Sequence, residues 1–198
     1  MTAAIKTDKL KRFKNLEFIL GVLLVGGIGF AVIFSGWLFP GGGSELNLAY
    51  RLTPPLVEPG FPLGTDPLGR DVLARVIIGG EISLKVGVYS ALGAVVIGII
   101  MGLVSGYYGG FLDMIVMRFA DVQLALPFIL LAITFIAVIG GGLTNMIILL
   151  IISQWVQYAR LVRGSVLSLR DREFILAAKA IGVKDIRILF QHLLPNLI

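Results

Sequence analysis

Few side chains in this sequence are of the types that do chemistry. There is no Cys and a single His, His192, which removes thiol chemistry and any site built on several histidines. Gln123, Gln154 and Gln157 stand in or beside long apolar runs, with Arg118 and Asp121 near the end of one. Polar groups in lipid are costly and face a cavity or another helix, so each glutamine either bonds to a neighbouring helix or lines a solute pathway. No run carries the paired carboxylates of a proton-driven carrier, which argues against ion coupling. "GTDPLGRD", Gly64 to Asp71, is a near miss for a phosphate-binding loop: Arg70 and Asp71 stand where that loop needs Lys and then Ser or Thr. It reads instead as a turn fixed by Asp66-Pro67. No catalytic residue, metal site or cofactor is expected on this chain, and any ATP must be handled by another polypeptide.

The elements that position these residues follow from composition. Hydrophobic residues make up 57% of the 198 and charged residues 15%, with a mean hydropathy of +0.95, which excludes an ordinary soluble domain. The net charge of +5 is explained by basic loops on the cytoplasmic side of a membrane rather than by nucleic acid. A basic tail, 1–15, precedes an apolar run over 16–39 that is long enough to cross a bilayer. A signal peptide is disfavoured, because the run is too long and Phe39-Pro40-Gly41 makes a poor cleavage site. An aqueous loop, 40–81, follows and ends in a short amphipathic helix near Arg70 to Ile78. Further spans are expected over 82–106, 115–139 and 145–167, with a polar turn around Tyr107 to Asp113 and a reversal forced by Gly140-Gly141-Gly142.

In the second of these spans Ser90, Ala94, Gly98, Gly102 and Gly106 recur four apart. Such a ladder lets helix backbones approach closely and marks a tight bundle, whatever that bundle does. Orientation follows from Lys and Arg. With the N-terminus inside, Lys6, Lys9, Lys11, Arg12, Lys14, Arg118, Arg160, Arg163, Arg170, Arg172, Lys179, Lys184 and Arg187 fall at the cytoplasmic side. Arg51, Arg70, Arg75 and Lys85 fall outside.

Arg172 to Pro195, "REFILAAKAIGVKDIRILFQHLLP", is too charged to span. Phe174, Ala177, Ala178 and Ile181 recur at helical spacing, Gly182 is placed to stop that helix in a left-handed conformation, and Val183, Ile186, Leu189, Phe190 and Leu193 renew the pattern. This predicts two short helices meeting at a glycine, over 168–192. The pair either lies on the membrane surface or docks another protein, for which the small pair Ala177-Ala178 is suited. Pro195 and the apolar "LLPNLI" read as the start of a fifth span, so the chain is expected to be truncated.

This segment resembles the cytoplasmic signature loop of the permease subunits of binding-protein-dependent ABC importers, whose core reads EAA, three residues, Gly and later Leu-Pro. Ala177, Ala178, Gly182, Leu194 and Pro195 fall on that pattern. "FPLGTDPLGRDVLARVIIGGEISLKVG", "GYYGGFLDMIVMRFAD" and "QYARLVRGSVLSLRDREF" are similar to the dipeptide, oligopeptide and nickel branch of the family. Leu176 replaces the motif's glutamate, and the nearest carboxylate is Glu173. Val156 and Gln157 stand where the branch often has Pro-Gly.

The resemblance implies an all-α integral membrane helix bundle: four complete spans, the start of a fifth, and a cytoplasmic two-helix coupling loop, with a permease core over 82–198. It implies the inner membrane of a prokaryote and a pathway for peptides or a related small solute, nickel chelates and glutathione-like molecules included. Expected partners are a second permease subunit, forming a heterodimer, an extracytoplasmic solute-binding protein, and two ATPase subunits that carry ATP and Mg. The residues expected to couple to the ATPase are Glu173, Phe174, Ala177, Ala178, Gly182, Asp185, Leu189 and Pro195. The competing expectations are a membrane scaffold subunit and a secondary carrier.

Overall fold

The computed structural model describes residues 16–197, so the basic tail expected over 1–15 lies outside the described residues. The described residues are helical apart from loops and an isolated bridge between Thr65 and Asp71. They form two compact units, one up to Lys85 and one from Val86 onward.

In the first unit the expected span 16–39 is an 18-residue helix, α1 (Leu16–Ile33), and a four-residue helix, α2 (Ser35–Leu38), interrupted at Phe34. At about 1.5 Å per residue α1 rises ~27 Å. Val32 in α1 and Ser35 in α2 are buried. Val32 lies over Gly80, where a Cβ would come within 2.9 Å of it, and the Ser35 hydroxyl donates to Glu81.

Loop 40–71 is organised around Asp66, whose side chain is only 10% exposed. The carboxylate accepts from the N–H groups of Leu68 (2.8 Å) and Arg70 (3.1 Å), and pairs with the guanidinium groups of Arg70 (2.7 Å) and Arg75 (2.5 Å). Burial alone would raise this carboxyl, but the hydrogen bonds from Arg70 and Leu68, with the Arg70 charge, hold it down to about 2 from 3.8. Thr65 accepts from the Thr53 N–H at 2.9 Å and donates to the Tyr50 carbonyl. Gly69 has φ +74 and lies against the Asn47 carbonyl, where any side chain would collide. Segment 64–71 is thus a structural turn packed on its own loop.

The separate amphipathic helix expected near 70–78 and the span expected from Ile82 are one helix, α3 (Val72–Tyr108). Asp71 caps it, accepting from Leu73 (2.8 Å) and Ala74 (3.4 Å). Glu81 and Lys85, which look like a boundary in sequence, pair across one turn and so continue the helix.

In the second unit the turn expected over 107–113 contracts to Gly109 alone (φ 64, ψ −154), after which α4 (Gly110–Ala125) begins. The uninterrupted span expected over 115–139 is corrected: α4 and α5 (Phe128–Ile139) meet at 94°. The cause is Pro127, which has no N–H to continue the ladder and drives Leu126 to an extended conformation (φ −84, ψ 126). None of the α5 residues is buried. Gly140 and Gly142, with φ 95 and 129, reverse the chain, and Asn145 donates to the Gly140 carbonyl at 3.1 Å. Then follow α6 (Leu143–Leu169), α7 (Glu173–Ala180) and α8 (Asp185–Arg187); α8 opens into a wide π turn (Ile188–Leu193) and a 3₁₀ turn (Leu194–Asn196).

By length and composition α3 and α6 can each cross a membrane, and the bent α4–α5 pair makes a third span if taken as one; α1 is apolar but shorter.

Candidate functional site

The small-residue ladder of α3 packs on α6. Ser90 and Ala94 are 3% and 0% exposed. A Cβ on Gly98 would run into Tyr158, one on Gly102 would lie 2.6 Å from the Ala159 carbonyl oxygen, and one on Gly106 would lie 2.8 Å from the Val166 Cβ. The two backbones therefore approach as closely as glycine allows. Gly93, off the ladder, meets Ile151 in the same way.

Polar side chains tie α4 to α6. The Gln123 amide donates to the Ile152 carbonyl at 2.6 Å and accepts from the Trp155 indole at 2.9 Å, so this glutamine is spent on bonds between helices. Asp113 and Arg163 form a two-pronged pair at 2.5 and 2.6 Å, and Arg160 reaches Asp121 at 2.7 Å. Gln154 and Gln157, with Gln123 and Pro127, line a recess of about 550 Å³ beside the helix bend. Among the described residues no cluster of three or more His, Asp or Glu side chains forms.

Past α6 the chain makes the expected turn. Gly182 has φ +78, its N–H bonds to the Lys179 carbonyl, and the Val183 N–H bonds to the Ala178 carbonyl, both at 3.0 Å. This is the six-to-one, five-to-two pattern by which a helix ends on a left-handed glycine. The buried side chains are Ile175, Ala178, Ile188, Leu189 and Leu193, gathered with Leu103, Tyr107 and Val166 in one apolar core.

That burial divides the residues read from sequence as one docking face. Ala178 (6% exposed) and Leu189 (4%) turn inward against the chain's own helices. Phe174, Ala177, Ile181, Ile186 and Phe190 are exposed, as are Glu173 and Pro195. Ala177 and Ala178, paired in sequence as a small docking surface, thus part company: Ala177 is exposed and Ala178 is buried. Asp185, the first residue of α8, accepts from the Tyr107 hydroxyl at 2.7 Å. Sequence reasoning passed over Tyr107, Arg163 and Trp155, because their partners lie 78, 50 and 32 residues away and no local spacing reports such pairs.

Apolar helices packed through glycine, joined by interhelical polar bonds and carrying a charged two-helix loop, define an integral membrane bundle. Residues 94–198, more than half of the chain, match the family described as "Binding-protein-dependent transport system inner membrane component", and the chain belongs to that family. It is 42% identical over 183 residues to a dipeptide transport system permease protein of Alkalihalophilus pseudofirmus, covering 92% of this chain and 60% of that protein. It is 38% identical over 194 residues to an oligopeptide transport system permease protein of Bacillus subtilis, covering 96% and 62%. With a glutathione transport system permease protein of Pectobacterium atrosepticum it shares 44% identity over 134 residues, covering 68% and 44%. The chain therefore spans about three fifths, or less, of the length of these relatives.

Proposed function

We propose that this chain is part of a permease subunit of an ATP-driven importer for peptides or a related small solute. It does no covalent chemistry. Its role is to bind partners differently in two states, so that the pathway opens to one side and then the other. The observation that carries this reading is the division of the two-helix loop. The inner face, Ile175, Ala178, Ile188, Leu189 and Leu193, is cemented to the bundle, while Phe174, Ala177, Ile181 and Ile186 stand exposed on a polar segment. Exposed apolar side chains rimmed by charge fit a protein partner, and an ATPase subunit is the partner this reading assigns. ATP and Mg belong to that subunit.

The Lys and Arg distribution supports an N-terminus and Gly182 loop in the cytoplasm and loop 40–71 on the far side. A second permease subunit, forming a heterodimer, and an extracytoplasmic solute-binding protein complete the assembly. The recess beside Pro127 supports Gln154 and Gln157 as pathway-lining residues. Relatives acting on dipeptides, oligopeptides and glutathione favour a peptide-like solute.

The test uses the full-length permease co-expressed with its ATPase subunits. Ile181→Asp places a charge on the most exposed apolar residue of the loop (81% exposed) without touching the core. Loss of the co-purifying ATPase, with the permease still monodisperse, is expected. Wild-type recovery of the ATPase with Ile181→Asp would show that this face is not the dock.

A further inference from the structure

No side chain packs at the turn itself, since a Cβ on Gly182 would meet nothing within 4 Å. The angle between α7 and α8 rests on the two backbone bonds that close the turn, on the apolar core that both sides of it share, and on a polar bridge that crosses it.

Tyr107 makes the polar contacts with both helices. It sits at the end of α3, two residues before the break at Gly109, and is 8% exposed. Its hydroxyl donates to the Asp185 carboxylate at 2.7 Å, at the first residue of α8. Its ring lies under the Lys179 ammonium, 4.8 Å from the centroid, in the last turn of α7. A cation over an aromatic face and a hydrogen bond to a carboxylate are each attractive, and here one residue makes both, on either side of Gly182. Tyr108 packs edge-on against the same ring, with centroids 5.1 Å apart. One residue earlier, the Gly106 carbonyl accepts from the Arg170 guanidinium at 3.1 Å, so the end of α3 is also fastened to the end of α6.

We propose that Tyr107 is a positioning residue that locks the two loop helices onto α3, so that movement of the loop is delivered to the bundle instead of being absorbed by rotation at Gly182. The proposal rests on the coupling role assigned above. The site of transmission is the Asp185–Tyr107–Lys179 bridge.

The test is made in the full-length permease assembled with its second permease subunit and ATPases in nanodiscs. Spin labels are placed at Leu161→Cys on α6 and Arg187→Cys on α8. Their separation is measured without nucleotide and after trapping with ATP and vanadate. With Tyr107 in place the separation is the same in both states, because loop and bundle move together. Tyr107→Phe keeps the ring under Lys179 and removes only the hydroxyl; trapping is then expected to shift the separation, which stays fixed in the wild type. Asp185→Ala gives the same shift, Asp185→Asn restores the wild-type result through its amide oxygen, and the Tyr107→Phe/Asp185→Ala pair shifts no further than either change alone. A residue that merely filled space would not make the separation depend on nucleotide.

A wild-type pair whose separation already changes on trapping, or a Tyr107→Phe pair that does not change, overturns the proposal. Should Tyr107→Phe fail to assemble, the two Asp185 variants test the same bond from its other end. Failure of the wild-type permease to hold its ATPases would instead sink the coupling reading. ATPases that bind while Tyr107→Phe behaves as wild type would sink the role of Tyr107 alone.

Discussion

Two connections in this molecule are ordered by opposite means. Loop 40–71 is held by a carboxylate: Asp66 gathers two backbone N–H groups and two guanidinium groups. Meanwhile Leu46, Leu48, Leu56 and Val57 stay largely exposed. The loop around Gly182 is held by oil. Five of its apolar side chains close into a core with Leu103, Tyr107 and Val166, and most of its charges stay at the surface. A hub of directional bonds fixes a backbone without burying much area and yields when its charge is removed. A packed core is indifferent to moderate changes of pH and yields when its volume or polarity changes.

The sharpest way to break the contrast is to put a charge into the oily loop. Ala178→Glu brings a carboxylate into an apolar core, and a charge left there uncompensated costs about 3–5 kcal/mol. Loss of the folded permease is expected in fluorescence-detected size exclusion, whereas Ala177→Glu, one residue away on the exposed side, leaves it intact. Comparable loss from both would mean that the division between inner and outer faces is wrong.

Acid acts on the other loop. Because the Asp66 carboxyl is depressed in the folded loop, its contribution is fully present above pH 3.8 and is lost as pH falls through about 2. Protease cleavage within 40–71 is therefore expected to accelerate over that window in the wild type. In Asp66→Asn it is expected to be fast already at neutral pH and nearly flat below it. The Gly182 loop is expected to show no matching transition there. A wild-type loop 40–71 whose cleavage rate ignores acid would remove Asp66 as its organiser.

The smallest effect belongs to Gly182→Ala. The space is open but φ is +78, so the cost is the left-handed backbone alone, roughly 1 kcal/mol. A small drop in thermal stability with an unchanged fold is expected. A drop as large as that of Ala178→Glu would place a hidden contact at the turn.

Much of this was legible in the sequence, for reasons that can be named. Gly182 declared itself because a helical apolar pattern stops at it and resumes after it. Gly140 to Gly142 did so because three glycines interrupt an apolar run. The bend at Leu126-Pro127 stayed hidden, since hydropathy averages over a window and the residues on both sides are equally apolar. The merger of 72–81 into α3 was masked by Glu81 and Lys85, whose charges mark a boundary when read singly and a helical pair when read together. Within the Gly182 loop, Leu176 and Ile181 are exposed although apolar. Periodicity therefore found the helices without fixing which face was buried, and Ala178 was assigned to the wrong side.

The bend at Pro127 also bears on how the helices match a lipid layer. Straight through, α4 and α5 would outreach a hydrocarbon layer, but at 94° neither arm alone spans one. The 16 residues of α4 rise about 24 Å and the 12 of α5 about 18 Å, against a layer of about 30 Å. Beside them α3 and α6 are long enough to cross on their own. Taken as one span the pair crosses with a sharp turn; taken as two arms it leaves that side of the bundle short, to be met by a thinner bilayer or covered by protein. Shorter acyl chains are therefore expected to suit the bent α4–α5 pair better than longer ones.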